Sequence, residues 1–229
     1  SQFYKQLNIG VAKPSVEQLN AIKHHFIGNI DITEHYSISK FEQDAISKLD
    51  SYFKTNNIAI MTGGSGLYIN AICNGVDEMP DFDPEIRENL NKQYENEGIE
   101  SIRFELKKID PEYYNQVDLK NPQRILRAIE VFKTTGIPFS KFRTNTKAKR
   151  NFNIIKIGIK TDRELLYEQI NRRVDIMFEN GLLNEVKPLY KYKNHVALKT
   201  IGYSELFMYL ENNINLEKAI ELIKRNSRR

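Results

Sequence analysis

The chain has 229 residues, 40% of them hydrophobic, and a net charge of +4. That length supports one large domain, or a core with a smaller domain attached. The single cysteine, Cys73, excludes an internal disulfide framework and a cysteine zinc cluster, and no signal-peptide pattern or membrane-length apolar run appears, so a cytoplasmic protein with no membrane partner is expected.

The charge is uneven. Residues 77–118 hold 13 acidic against 5 basic residues, leaving 29 basic against 17 acidic elsewhere. A basic body with an acidic segment suits a polyanion partner, and equally a solvated surface of uneven charge.

In chain order, Ser15 and Gln18 read as a capping box opening a short helix after Pro14. HHFIGNIDI contains a candidate strand. Ser39 and Glu42 read as a second capping box, and Phe41, Ala45, Leu49 and Phe53 follow at helical spacing. IAIM reads as a short buried strand. It leads through the glycine-rich MTGGSGLY, residues 61–68, into an apolar helix on which Cys73 has a packing role. This rhythm predicts an α/β fold, with a parallel sheet flanked by helices.

The rhythm breaks after Pro80. Asp83-Pro84 starts a helix that carries Ile86, Leu90 and Tyr94 and ends at Gly98. Ile99, Ile102, Leu106 and Ile109 mark another. Two helices without a strand predict a helical insertion over residues 82–118, more mobile than the α/β core with C-terminal helices formed by 1–81 and 119–229. Asn121-Pro122 then caps a helix that Gly136 closes, with Ile125, Ile129 and Phe132 on its apolar face and Arg124 and Arg127 on another. KFRTNTKAKR, residues 141–150, holds five basic residues and no acid. FNIIKIGIK, residues 152–160, reads as a strong strand. Asp162 opens a long helix whose stripe is Leu166, Ile170, Val174 and Met177, stopped by Gly181. The last helix is rich in Lys and Arg.

Two features carry chemistry. GGSG has neither the six-residue frame and lysine of a P-loop nor the pattern of a dinucleotide fingerprint. Its glycines allow close approach of a ligand, with the Ser65 hydroxyl at the helix start; they also suit a tight turn with Ser65 as an ordinary N-cap. Arg173 lies at the edge of a buried stripe and needs an anion, either a protein carboxylate or a substrate phosphate. Asp175 points to another face and is not its partner. The four histidines are scattered, without zinc spacing, and no metal ligands are assigned.

IGVAKPS, TGGSGLY, DPEIR, NPQRILRAIEVF, RRVDIMFENGLLNEV, ALKTIGY and IKRNSRR, in this order over nearly the whole chain, resemble the tRNA dimethylallyltransferase (tRNA isopentenyltransferase) family. The resemblance implies a P-loop-kinase-like α/β core with a helical insertion. It implies transfer of a dimethylallyl group from dimethylallyl diphosphate to N6 of the adenosine 3′ of the anticodon, with a tRNA anticodon stem-loop as partner, a Mg2+ cofactor and a monomeric enzyme. In the family, an ATP-type nucleotide-binding Walker loop near the N-terminus is the phosphate cradle. The GGSG loop faces the target adenosine instead, which must leave its stack to react.

Residue by residue, the resemblance implies that Ser65 contacts the flipped nucleotide and serves catalysis. It implies that Arg173 binds the diphosphate and offsets charge on the leaving group. Arg87, the segment Gln123, Arg124, Ile125, Leu126 and Arg127, and the segment Lys199, Thr200, Ile201, Gly202, Tyr203 and Ser204 match tRNA-contacting positions. Ser1 and Gln2 match the family's Asp-Ser-x-Gln, although the chain is one residue short there. The family's Walker loop, magnesium-binding hydroxyl and general-base aspartate precede the residue matching Ser1, so the given sequence is expected not to carry those groups, with activity expected to depend on their presence. Val11 stands where threonine is more common. Two other readings share parts of the pattern: a P-loop-type small-molecule kinase, which would not need the QRxxR and KTIGY segments, and a non-catalytic RNA-binding module, which leaves Arg173 unexplained.

Overall fold

The computed structural model describes residues 1–77, 79–80, 83–144 and 146–228. The chain divides into two compact units, one formed by Ser1–Tyr36 with Ile155–Arg229 and the other by Ser37–Ile154. These boundaries differ from the expected ones at 82 and 118, and the reason lies in the packing of the helices.

The N-terminal segment is mostly turns. It holds one short helix, α1 (Val16–Ala21), capped by the reciprocal Ser15–Gln18 box read from the sequence. Tyr4 and Ile30 form an isolated parallel bridge, the only β pairing among the described residues. The Lys5 amide donates to the Ile30 carbonyl at 2.8 Å, and the Ile30 amide to the Phe3 carbonyl at 3.0 Å.

The second unit opens with α2 (Ile38–Tyr52), whose N-cap is Ser37. The sequence placed a capping box at Ser39 and Glu42. That box does not form, because the Glu42 carboxylate is engaged far along the chain, by the Val76 amide at 3.0 Å and by the Arg150 guanidinium. α3 (Gly66–Asn74) follows the glycine loop and packs on α2, with the rings of Phe41 and Tyr68 edge-to-face at 4.8 Å. Cys73 is half-buried on α3.

α4 (Pro84–Glu97) and α7 (Pro122–Thr135) begin as the sequence reads, with Asp83 and Asn121 as caps and proline in the first turn. Between them lie α5 (Ile99–Ile109) and α6 (Pro111–Tyr114); α8 (Phe139–Phe142) follows. Residues 83–118 are indeed helical, but they are not a separate body. Leu90, Ile102 and Leu106 pack with Ile125, Leu126 and Ile129 of α7 in one core, all at most 1% exposed. The expected insertion therefore shares its hydrophobic centre with the helix that follows it.

The first unit resumes with α9 (Arg163–Glu179), capped by Asp162, then α10 (Leu182–Leu189), α11 (Tyr203–Leu210) and α12 (Leu216–Ser227). Leu7, Ile32, Leu182, Val186, Leu198, Leu206 and Ile223 form its core with Val174, the one α9 stripe residue that is buried.

The expected strands at 58–61 and 152–160 do not form. Both runs lack a β partner among the described residues, and Ile60, Ile155, Ile157 and Ile159 are 86–94% exposed. Apolar β-branched residues suit a sheet interior, but a strand exists only beside another that takes up its amides and carbonyls.

Asp110 is 2% exposed, and its carboxylate accepts the Tyr113 amide at 3.0 Å and the Ser140 amide at 2.7 Å. It joins the start of α6 to α8. Asp110→Ala leaves two amides without their acceptor and is expected to cost about 2–3 kcal/mol of unfolding free energy, read by urea denaturation. An unchanged midpoint would show that water replaces the carboxylate without loss.

Candidate active site

Within the first unit, residues 8–16 and one side of α9 line an open pocket of about 610 Å3. Its wall carries Asn8, Lys13 and Ser15 from the N-terminal loop and Arg173, Ile176 and Met177 from α9. Arg173 is exposed and makes no hydrogen bond or ion pair among the described residues. Of the two partners open to it, a protein carboxylate is thus not in place. Asp175 is bound instead to the Lys224 ammonium at 2.5 Å. Lys13 is half-buried and donates to the carbonyls of Tyr4 at 2.6 Å and Lys5 at 3.2 Å. Burial pushes its ammonium down from its ordinary value, while the nearby Glu185 charge works against that push.

The loop that presents Lys13 is held from below. The Glu185 carboxylate on α10 accepts the amides of Asn8 at 3.1 Å, Ile9 at 2.7 Å and Gly10 at 3.1 Å. It also accepts the Tyr203 hydroxyl at 2.6 Å, and burial together with this acceptor raises the phenol's pKa. The ring of Tyr203 lies directly under Gly10, where a Cβ would sit 2.7 Å from ring atoms, so only glycine fits there. Gln2 closes the same loop, donating to the Val11 carbonyl at 3.1 Å and the Ala12 carbonyl at 2.7 Å.

Ser65, in the second unit, is exposed and is the N-cap residue of α3, yet its side chain makes no capping hydrogen bond. A Cβ at Gly63, Gly64 or Gly66 would meet nothing within 4 Å. The glycines are not required by packing among the described residues, and the hydroxyl is available to a ligand.

The residues matched to tRNA contacts fall into two groups. Gln123, Arg124, Lys199 and Ile201 are exposed, as is Ser1, and Thr200 and Ser204 are half-buried. Ile125, Leu126 and Tyr203 are fully buried core residues, and Gly202 is buried with its amide on Glu205. Their side chains serve packing. Arg127 and Arg87 converge on the Glu130 carboxylate, at 2.9 and 3.4 Å, and Glu130 is completely buried. Arg127 also donates to the Pro80 carbonyl at 2.9 Å. The basic run 141–150 splits likewise. Arg150 is turned inward onto Glu42 and the carbonyls of Ala71 and Ile72, and Lys141 pairs with Glu112, while Lys147 and Lys149 are exposed.

Lys13, Glu185 and Glu130 were not singled out from the sequence. All three lie in quoted motifs, but periodicity and spacing do not show that Glu185 meets amides some 175 residues away or that Glu130 is buried beneath two arginines.

The pocket wall of the first unit carries two cations, Lys13 and Arg173, and in the second unit Arg124 is exposed at the start of α7; side chains of this kind suit anionic ligands. The IPP transferase family profile matches residues 2–229. The tRNA dimethylallyltransferase of Christiangramia forsetii is 48% identical over 228 residues, covering 100% of this chain and 76% of that protein. The crystal structure of the full-length tRNA isopentenylpyrophosphate transferase from Bacillus halodurans is 33% identical with a TM-score of 0.66, over 99% of this chain and 72% of that one. A eukaryotic dimethylallyltransferase solved acting on tRNA has a TM-score of 0.78 at 24% identity, covering 99% and 58% of the two chains, which is a likeness of fold. The chain belongs to the tRNA dimethylallyltransferase family.

Two arginines on α7 give a test of which basic residues face solvent for a purpose. Arg124→Ala is expected to leave stability unchanged and to lower the salt slope of anticodon stem-loop binding by about one unit. Arg127→Ala is expected to cost about 2 kcal/mol in thermal or urea unfolding, because Glu130 loses one charged hydrogen bond and keeps only Arg87. If Arg124→Ala leaves the slope unchanged, that face is merely solvated.

Proposed function

We propose that the protein transfers a dimethylallyl group from dimethylallyl diphosphate to N6 of the adenosine 3′ of the anticodon in tRNA. Membership of the family supports the reaction, and the Arg173 guanidinium, without an internal anion and on a pocket wall shared with Lys13, is the observation that carries the diphosphate assignment. In the transfer, N6 bonds to C1 of the dimethylallyl group, the C1–O bond breaks, the diphosphate leaves with the electron pair and the N6 proton passes to water or to the departing diphosphate. Negative charge grows on the leaving group. Arg173 would bind it two-pronged, and a cation already in place gains strength as that charge develops. The free Ser65 hydroxyl would meet the extruded base, and Arg124, Lys199, Lys147 and Lys149 the RNA backbone.

The reading extends to a cytoplasmic monomer; no helix among the described residues is long and apolar enough to cross a membrane. The fold reading is a parallel, P-loop-kinase-like sheet, in which the apolar runs 58–61 and 152–160 would each find a strand partner that covers the isoleucines now exposed. Mg2+ belongs to the same reading. Among the described residues, however, no three His, Cys, Asp or Glu side chains cluster to hold an ion, so the residues present do not fit it and no step runs through it.

Mass spectrometry of anticodon stem-loop RNA incubated with dimethylallyl diphosphate tests the reaction, with a gain of one dimethylallyl group at the target adenosine as the expected result. Steady-state kinetics separate the residues. Arg173→Ala should slow transfer by about 3–4 kcal/mol in the barrier, with partial rescue by Arg173→Lys. Ser65→Ala should mainly weaken the RNA side, by about 0.5–1.5 kcal/mol. Equal, small effects of both on both substrates would reduce Ser65 to a turn residue and Arg173 to a surface charge.

A further inference from the structure

We propose that Glu185 is a positioning residue for the diphosphate site, holding the 8–13 loop so that Lys13 stands on the pocket wall that also carries Arg173. The inference rests on the diphosphate reading above.

Three consecutive amides, those of Asn8, Ile9 and Gly10, point at one carboxylate. Successive N–H groups turned to one side form a concavity that takes an anion. Here the chain supplies the anion itself, from α10, and locks it with the Tyr203 hydroxyl from α11. The loop is therefore clamped at its root by Glu185, under Gly10 by the Tyr203 ring and across Val11 and Ala12 by Gln2. The next residue is Lys13, whose ammonium is pulled onto the Tyr4 and Lys5 carbonyls, two acceptors for three donors. One N–H is left for the cavity. A lysine stem has four rotatable carbons, so a usable point charge depends on a backbone that does not move. Glu185 acts on that charge twice: it fixes the backbone, and its own negative charge favours the protonated form against burial. A substituted carboxamide would do neither, because its NH2 group would face amide donors.

The alternative is that Glu185 is only a structural tie. Isothermal titration with inorganic pyrophosphate, RNA absent, distinguishes the two in wild type, Glu185→Gln, Lys13→Ala and the double variant. Glu185→Gln is expected to raise the dissociation constant about tenfold, as for loss of one charge-assisted contact. In the Lys13→Ala background it is expected to add almost nothing, the non-additivity of residues acting through one another. KM for dimethylallyl diphosphate should rise by the same factor, and KM for stem-loop RNA should not change. A Glu185→Gln protein that melts earlier but binds pyrophosphate like wild type, or that adds its full effect on top of Lys13→Ala, overturns the proposal. If Glu185→Gln does not fold, Tyr203→Phe strips one donor from the carboxylate and should raise the constant about threefold, again only when Lys13 is present; wild-type affinity in folded Tyr203→Phe would overturn it. Wild-type protein that binds no pyrophosphate sinks the diphosphate reading itself, whereas normal wild-type binding with an unaffected Glu185→Gln sinks only the role of Glu185.

Discussion

Carboxylates aimed at backbone amides and guanidiniums hold this chain together. With one isolated bridge as its only β pairing among the described residues, it has no ladder of sheet hydrogen bonds to tie distant segments. Glu185 ties residues 8–10 to α10 and α11, Glu205 joins Gly202 to Asn226 of α12, and Asp110 joins α6 to α8. Glu42 joins α2 to Val76 and Arg150, and Glu130 gathers Arg87 and Arg127. Hydrogen bonds to a charged acceptor are each worth about 1.5–3 kcal/mol, more than neutral ones, but only once the carboxylate's own desolvation has been met. That is why each of these groups has at least two donors.

The same device explains what could be read from the sequence and what could not. Helix ends were legible, because Asp83, Asn121 and Asp162 cap through their nearest amides and Gly98 and Gly136 take positive φ at the far ends. Local chemistry decides such features. Glu42 looked like half of a capping box because the spacing was right, and only the fold shows its carboxylate engaged by partners 34 and 108 residues away. Helical periodicity over 83–118 was also legible, but the independence of that segment was not, since the surface that buries Leu90 and Leu106 belongs to α7.

In the site, residue type was legible and orientation was not. Arg173 and Arg127 both lie on helices that carry an apolar stripe. One reaches a cavity without an internal anion and the other turns onto a buried glutamate. Tyr203 sits in a motif matched to RNA, yet its ring fills the space beneath Gly10. A motif records which residues stand together in the chain; whether each faces substrate or core depends on where the helix carrying it meets its neighbours.

The run from Ile154 to Ile159 has a colloidal consequence. Five apolar or small residues flank a single charge, Lys156, with the isoleucines at 155, 157 and 159 almost fully open to water. Short β-prone segments of this kind seed intermolecular stacking when no strand lies alongside. Lys156 is the one gatekeeper inside the run, with Lys160 at its edge. Removing either charge would bring the chain closer to precipitation before any folded contact was lost.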